Sequence, residues 1–468
     1  MGESLASCIH KQHLTMNTKR QPAKRRLWQG TPSSLRTDFT WTLLGNAIYA
    51  AGQWMTIVLL AKLTQPELVG QYALGFAIAV PVFMLTSLQL RLVLVSDVHQ
   101  AIQFEHYLSL RLSCTVSALL IIFVTAEVLG LRGALLRAIL IVGLAQAVEA
   151  VSEIYYAQLQ LLDRMDRIAK SMIVRSVLSA TALTVGVCFG RNLLWGLVGV
   201  VLARTIVLLS YDIRECSGEV GARERVFFRR GVLQPRWDSG VLGRLLWSAL
   251  PLSILALLVS LNLNVPRYFI EHALGQRALG IFSAIASISA AGSMAVVSLG
   301  QSAFARLARS YASENFGEFR ALLGQFLALA AMLGVCGIAA ASLAGRQILT
   351  ILFKPEYAEQ ADLLTWMMAV GCLLYMAQFL GFGLTAAKCY YSQVVLFTFT
   401  SLGVAVGCYF FIPRLGLKGA ILAMLIATVV QLSGSVAILA RATHRRALLC
   451  ARNADAVSAD VLVQTWGR

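Results

Sequence analysis

The sequence has few charged residues: only 13% of its 468 residues are Asp, Glu, Lys or Arg, whereas 58% are hydrophobic. An ordinary soluble domain contains about 25% charged residues. A soluble core of this length cannot bury so much apolar surface, so most of the chain must be surrounded by lipid. The composition therefore predicts an integral membrane protein.

The sequence also lacks the motifs of common enzyme classes. It contains no Walker A loop, no His-Glu-x-x-His and no Gly-x-Ser-x-Gly. The six histidines have no metal-ligand spacing, and the nine cysteines include no Cys-x-x-Cys pair. Asp163 and Asp166 alternate with Arg164 and Arg167, which favours a solvated, self-paired loop over a metal site. We predict that the protein is not an enzyme and has no cofactor and no metal.

The formal net charge is +17, and the basic residues gather in a few polar segments. These segments show no interleaved aromatic platform for bases, so we predict no nucleic-acid partner. Basic segments between apolar blocks are typical of positive-inside topology and of contact with anionic membrane lipids. We predict a basic cytoplasmic N-terminal tail (1–36), a basic cytoplasmic linker (213–243) and a cytoplasmic C-terminal tail (442–468).

Twelve apolar blocks are long enough to cross a bilayer as helices. They predict an all-α polytopic protein with two six-helix lobes (37–212 and 244–441) and both termini in the cytoplasm. The blocks are 39–61, 71–95, 108–129, 135–159, 171–190, 193–212, 244–264, 278–300, 321–344, 363–386, 389–411 and 416–440.

The two sets of six blocks resemble each other. The segment 68–73 (LVGQYA) opens the second block and 278–283 (ALGIFS) opens the eighth. Similarly, 194–199 (LWGLVG) opens the sixth and 417–422 (LKGAIL) opens the twelfth. The order indicates a parallel repeat, and repeated bundles around a midplane cavity are the usual architecture of alternating-access transporters.

Polar residues inside the apolar blocks are costly in lipid and therefore informative. Glu149 and Glu153 lie one helical turn apart in the fourth block. One interpretation is that they bind H⁺ or Na⁺ and couple an ion gradient to transport. The other is that each forms a structural ion pair with an arginine of a neighbouring helix.

Arginines and amides are the other candidates for a cavity lining. Arg91 and Arg204 would favour an anionic cargo because a guanidinium binds phosphate or carboxylate well. We expect Arg175, near the end of its block, to extend to the membrane surface. Several polar residues are further candidates, although amides often only connect helices; they are Asn46, Tyr49, Gln53, Asn262 and Gln378.

Several segments carry a family resemblance that extends over residues 37–440. The segments 44–46 (LGN), 53–54 (QW) and 60–63 (LAKL) are similar to the opening of Wzx-type polysaccharide-unit flippases. Further segments resemble later motifs of that family: 69–74 (VGQYAL), 88–91 (LQLR), 161–169 (LLDRMDRIA), 352–358 (LFKPEYA) and 416–420 (GLKGA). Wzx-type flippases form part of the multidrug/oligosaccharidyl-lipid/polysaccharide exporter (MOP) superfamily.

The resemblance implies two six-helix lobes facing each other around a central cavity. It implies movement of undecaprenyl-pyrophosphate-linked oligosaccharide across the bacterial inner membrane, driven by an H⁺ or Na⁺ gradient, for O-antigen, capsule or exopolysaccharide. A polysaccharide polymerase and chain-length proteins are implied partners. Arg91 matches the arginine of the family's Leu-Gln-Leu-Arg segment.

Two alternatives remain open from the sequence. A multidrug or toxin cation antiporter has the same fold, but it predicts an acidic cavity with few arginines. A membrane glycan ligase or polymerase needs a long extracytoplasmic loop, and the longest candidate (345–362) is short.

Overall fold

The computed structural model describes residues 35–96, 102–190, 192–217 and 235–466. The predicted N-terminal tail up to residue 34 and linker residues 218–234 lie outside these ranges. The described residues form helices, which confirms the predicted all-α class.

The helices of the first half are six long segments and one short one. They are α1 (Leu35–Leu63), α2 (Pro66–Thr86), α3 (Leu90–Ser96), α4 (Phe104–Val128), α5 (Gly133–Leu161), α6 (Met165–Gly190) and α7 (Leu193–Val207). A π-helical turn, Leu208–Asp212, continues α7. The helices of the second half are α8 (Ser239–Ala312), α9 (Phe316–Leu352), α10 (Pro355–Ala358), α11 (Ala361–Ala386), α12 (Tyr390–Leu415) and α13 (Leu417–Trp466).

The helix α8 contains two of the predicted spans. Its 74 residues would measure about 110 Å as one straight helix, against a hydrocarbon core of about 30 Å. The chain turns at Gly275, with φ 81° and ψ −179°, a backbone region open essentially only to glycine. Eleven described helices are long and apolar enough to cross a membrane, and α8 provides two crossings, so the predicted count of about twelve is confirmed.

The second predicted span, 71–95, is interrupted. Helix α2 ends at Thr86, and α3 begins at Leu90. Leu88 and Gln89 between them adopt positive φ angles of 50° and 46°, a conformation that costs on the order of 1–3 kcal/mol for each non-glycine residue. The interruption falls within the Leu-Gln-Leu-Arg segment and therefore sets the position of Arg91.

Both halves use the same helix pairings, which supports the parallel repeat. In the first lobe, α1 packs on α6, α2 and α7 on α5, α4 on α5, and α6 on α7. The equivalent contacts in the second lobe join α8 to α12, α8 and α13 to α11, α9 to α11, and α12 to α13. Two glycines at equivalent repeat positions make equivalent contacts: Gly196 packs on α6 and Gly419 on α12.

The lobes meet mainly where α2 crosses α8. A Cβ atom added to Gly70 would collide with the backbone oxygen of Gln276, and one added to Gly280 would collide with the backbone oxygen of Pro66. Gly70 and Gly280 occupy equivalent positions of the repeat. The missing side chains therefore let the two backbones touch across the interface between the lobes.

Polar contacts surround this crossing at the end of the bundle that contains Gly275. Gln71 donates to Gln276 at 3.1 Å, and Lys354 donates to the backbone oxygen of Thr64 at 2.6 Å. Arg277 lies 3.2 Å from both Glu67 and Glu356. We call this region the Gly275 end; its contacts hold the two lobes together there.

Candidate functional site

The fully buried charged side chains of the described residues lie in the first lobe. Within the described residues, six charged side chains are buried, and all belong to the first lobe: Glu105, Arg111, Glu149, Arg175, Arg204 and Asp212. A buried charge is costly unless it is paired or used. The functional chemistry of the molecule is therefore expected in this lobe.

A small cavity lies between α1, α6 and α7. Tyr49 and Gln53 line it from α1, Arg175 from α6 and Arg204 from α7. The amide of Gln53 donates to the Tyr49 hydroxyl at 2.8 Å. Three of the predicted cavity residues, Tyr49, Gln53 and Arg204, thus come together at one place.

Arg204 forms the tightest buried ion pair of this site. Its Nη1 atom lies 2.6 Å from Oε2 of Glu149 and also donates to the backbone oxygen of Ala145 at 3.0 Å. Both side chains are about nine-tenths buried, at 9% and 12% exposure. Each charge therefore compensates the other, while Nε of Arg204 has no hydrogen-bond partner.

Arg175 does not extend to the membrane surface, contrary to the sequence expectation. It is 3% exposed, and its guanidinium lies over two tyrosine rings, 5.2 Å from the centroid of Tyr156 and 5.7 Å from that of Tyr49. Stacking on aromatic faces stabilises a buried guanidinium. Its Nε and Nη1 atoms are buried without hydrogen-bond partners.

Arg91 and Glu153 lie in a neighbouring polar layer of the first lobe. Arg91 donates through Nε and Nη2 to the Gln160 side chain at 3.2 Å, and it lies 6.0 Å from the ring centroid of Tyr156. Glu153, half-exposed, lies 3.8 Å from the buried Arg111. Neither residue is among those that line the Tyr49 cavity.

The remaining candidates have separate surroundings. Asn46 is half-buried on α1, one turn before Tyr49. In the second lobe, Asn262 donates to Gln431 at 3.2 Å and lines a mostly apolar cavity, and Gln378 donates to Ser293 at 3.2 Å. These two amides connect helices of the second lobe.

Sequence reasoning missed Arg111, Asp212 and the burial of Arg175. Arg111 and Asp212 lie close to the ends of apolar blocks, where a charge normally reaches the membrane surface. The sequence signal was the spacing of Ser171 and Arg175, which lie one helical turn apart. The structure shows that both contact Tyr156.

The lining of the cavity is rich in hydrogen-bond donors. Arg204 is neutralised by Glu149, but within the described residues no carboxylate lies at ion-pair distance from Arg175. Unpaired guanidinium N–H groups beside a tyrosine hydroxyl and an amide provide donors for phosphate or hydroxyl oxygens. In the described part of the chain, no group of three His, Cys, Asp or Glu side chains is arranged to hold a metal ion.

No protein-family model matches the chain. The capsular polysaccharide biosynthesis protein CapF of Staphylococcus aureus is 24% identical over 406 residues, which cover 84% of this chain and 96% of that protein.

Solved structures match the fold over nearly the whole chain. A MOP superfamily transporter from Pyrococcus furiosus superimposes with a TM-score of 0.58 at 14% identity, covering 91% of this chain and 98% of that one. Outward- and inward-facing conformations of a MATE family multidrug resistance transporter give TM-scores of 0.57 and 0.54 at 13% and 14% identity. They cover 92% and 88% of this chain and 99% and 97% of theirs. The chain is a multi-pass membrane protein with the MOP superfamily transporter fold, and its resemblance to the Wzx-type members of that superfamily is confirmed.

Proposed function

We propose that this protein is a non-enzymatic transporter in polysaccharide synthesis. Its proposed cargo is an oligosaccharide linked to undecaprenyl pyrophosphate, which it moves across the bacterial inner membrane. The similarity to CapF, which is named for capsular polysaccharide biosynthesis, supports the polysaccharide role. The transporter fold supports movement of a cargo rather than a reaction on it.

The observation that carries the cargo class is the unpaired guanidinium of Arg175. It is buried beside Tyr49 and Gln53, and two of its nitrogen atoms have no partner. Burying a cation without a carboxylate costs free energy unless a ligand supplies the opposite charge. A pyrophosphate supplies the matching charge and oxygen geometry. A cationic drug would instead be repelled.

The cavity lining provides the hydrogen-bond partners that a glycan needs when it passes through lipid. Sugar hydroxyls that leave water without new partners cost several kcal/mol each. Tyrosine, glutamine, asparagine and arginine side chains on the lobe interiors can replace those partners. The prenyl chain needs no such replacement because it stays in the hydrocarbon.

We propose alternating access by the two lobes, with both termini and the basic linker on the cytoplasmic side. In that orientation the Gly275 end faces the periplasm, and its α2–α8 contacts close the lobes on that side. Separation there, with closure at the other end, would deliver the cargo. H⁺ or Na⁺ drives the cycle, with Glu149 and Glu153 as coupling candidates, and polymerase and chain-length proteins receive the cargo.

The test is a leaflet-accessibility assay in proteoliposomes with labelled undecaprenyl-pyrophosphate glycan. The purified protein should expose inner-leaflet glycan to an external lectin faster than empty vesicles, and an imposed H⁺ or Na⁺ gradient should change the rate. Arg175→Gln and Arg91→Ala should slow exposure at least tenfold, because each removes a cation from the proposed path.

The matched control is Arg320→Ala, which removes an exposed arginine on α9 of the second lobe and should leave the rate unchanged. Membrane yield and thermal stability of each variant show whether it inserts and folds. Normal transport by both first-lobe variants would contradict the cationic cavity. No acceleration with any glycan, together with gradient-driven uptake of a cationic dye, would replace the proposal with a drug antiporter.

A further inference from the structure

Asp212 is a buried carboxylate that the proposed cycle has not used. It is 0% exposed and ends the π-helical turn Leu208–Asp212, where the regular helix of α7 is interrupted. Single π-helical turns within longer helices are rare and occur frequently at functional sites. The neighbouring Leu209 and Ser210 are exposed, so Asp212 alone brings charge from this turn into the lobe.

A chain of hydroxyl groups points at this carboxylate. The Ser171 hydroxyl donates to Oδ1 of Asp212. The Tyr156 hydroxyl lies 2.7 Å from the Ser171 oxygen and, since the Ser171 proton is used, donates to it. Within the described residues, Oδ2 of Asp212 makes no hydrogen bond of regular geometry. The hydroxyl of Ser152 lies close enough to act on the same carboxylate.

The surroundings of Asp212 differ from those of the two glutamates of α5. Glu149 and Glu153 each lie within ion-pair distance of an arginine, at 2.6 and 3.8 Å. Among the described residues, no Lys or Arg lies that close to Asp212. Asp212 is held by a hydroxyl group in an apolar lobe rather than by a guanidinium, and a carboxylate in such surroundings can accept a proton.

The titratable and charged groups that face Asp212 come from three helical segments. Tyr155 and Tyr156 face it from α5, Arg175 from α6, and Tyr211 and Cys216 from its own segment. The start of α8 contributes Leu245 and Ala249 to the apolar cluster that also contains Tyr155, Tyr156 and Cys216. Arg175 is the described cation that acts electrostatically on this carboxylate.

The same Arg175 lines the Tyr49 cavity. Its guanidinium lies on the ring of Tyr156, whose hydroxyl begins the chain to Asp212. The side chains therefore connect cavity and carboxylate in the order Arg175, Tyr156, Ser171, Asp212. Whatever changes the charge at one end changes the electrostatic attraction felt at the other.

We propose that Asp212 is a proton-binding site whose occupancy controls binding of the anionic headgroup through Arg175. A proton from cytoplasmic water forms the O–H bond at Oδ2, and the same proton returns to water on the same side. This proton regulates binding and is not the ion that drives the cycle. With Asp212 ionised, its charge competes with the cargo for Arg175. With Asp212 protonated, Arg175 is free for the headgroup, so proton and cargo bind cooperatively. The cargo half of this inference rests on the proposed function.

The proton site is tested without any cargo by infrared difference spectroscopy of the purified protein during a pH titration. The wild type should develop a carboxylic C=O band that is missing in Asp212→Asn. The matched control, Asp362→Asn, changes an exposed aspartate of the second lobe and should retain the band. A spectrum of Asp212→Asn identical to wild type overturns the proton site.

A second variant tests the assignment of the band to Asp212 even if Asp212→Asn does not fold. Ser171→Ala removes the donor to Oδ1, so the midpoint of the band should move to higher pH. An unmoved midpoint in a folded Ser171→Ala protein contradicts the assignment of the band to Asp212.

The coupling is tested by binding of farnesyl pyrophosphate, a soluble prenyl pyrophosphate, at a series of pH values. Wild-type affinity should rise as pH falls, by up to about tenfold per pH unit for one linked proton, relative to Asp212→Asn. The variant should bind with the low-pH wild-type affinity at every pH, apart from the probe's own titration. An unchanged pH dependence in Asp212→Asn overturns the coupling. No binding by any protein, with the infrared band present, contradicts the proposed cargo and leaves the proton site standing.

Discussion

The two lobes share helix order and pairing but differ in what they bury. The first lobe buries six charged side chains, and the second, within its described residues, buries only neutral polar ones such as Asn262, Gln393 and Gln431. Helix α5 of the first lobe carries Glu149, whereas its counterpart α11 carries Gln378 as its predicted polar residue. The same helix arrangement therefore buries charged side chains in one lobe and neutral polar side chains in the other.

The difference shows that the repeat fixes packing rather than function. Glycines at equivalent positions, such as Gly196 and Gly419, serve helix contact in both lobes. Within the described residues, the fully buried charged side chains all lie in the first lobe, whereas Arg267 of the second lobe is half-buried and donates to Asn264. A duplicated bundle thus keeps its small residues for close packing and becomes specialised through a few buried ionisable groups.

The largest expected effect comes from breaking the buried pair of the first lobe. Arg204→Leu leaves Glu149 buried without its cation, which should destabilise the protein by about 3–5 kcal/mol. Unfolding by SDS titration in mixed micelles measures the loss. The double variant Arg204→Leu with Glu149→Gln should recover most of it, because no unpaired charge remains. Equal instability of the single and double variants would contradict a mutual pair.

A smaller effect is expected at the crossing that both lobes share. Gly70→Ala places a methyl group against the backbone of Gln276, and such overpacking typically costs about 1–3 kcal/mol. The Gly275 end should then open more often. A cysteine pair at Gln71→Cys and Gln276→Cys should cross-link more slowly in the Gly70→Ala background.

The matched control for this variant is Gly403→Ala on α12. An added Cβ there meets open space, so cross-linking should be unchanged and stability equal or slightly higher. Equal cross-linking rates for both alanine variants would show that the α2–α8 crossing does not hold the lobes together.

The smallest effect is expected from the second lobe's own polar contact. Asn262→Ala removes the hydrogen bond to Gln431, and interhelical hydrogen bonds of this kind are worth about 0.6 kcal/mol on average. The same SDS titration should therefore register a loss several-fold smaller than for Arg204→Leu. A loss as large as that of the first-lobe pair would remove the energetic distinction between the lobes.

Much of the fold was predictable because lipid leaves the backbone few choices. Apolar blocks of sufficient length must be helices, and the predicted blocks lie in the observed helices. The break at 87–89 was not predictable, since Leu88 and Gln89 do not favour a positive φ. The spans 244–264 and 278–300 were predicted, and in the structure they are joined within α8 by the turn at Gly275.

The candidate site was predictable in its residue types but not in its partners. The sequence selected Tyr49, Gln53, Arg204 and Glu149 because polar residues are rare within apolar blocks. It assigned Arg175 to the membrane surface because a long side chain near a helix end usually extends there. Stacking on Tyr49 and Tyr156 keeps Arg175 inside. Tyr49 lies on α1, more than a hundred positions before Arg175, so no local pattern indicates that contact.

The sequence by itself thus determined that the chain lies in a membrane, that its segments are helices and that two halves repeat. These properties follow from local apolarity and from the need to satisfy backbone hydrogen bonds within each segment. The tertiary structure alone decided which arginine meets which carboxylate, which charge remains unpaired and where the lobes touch. Those outcomes depend on distances between separate helices, which side-chain packing sets and no local pattern encodes.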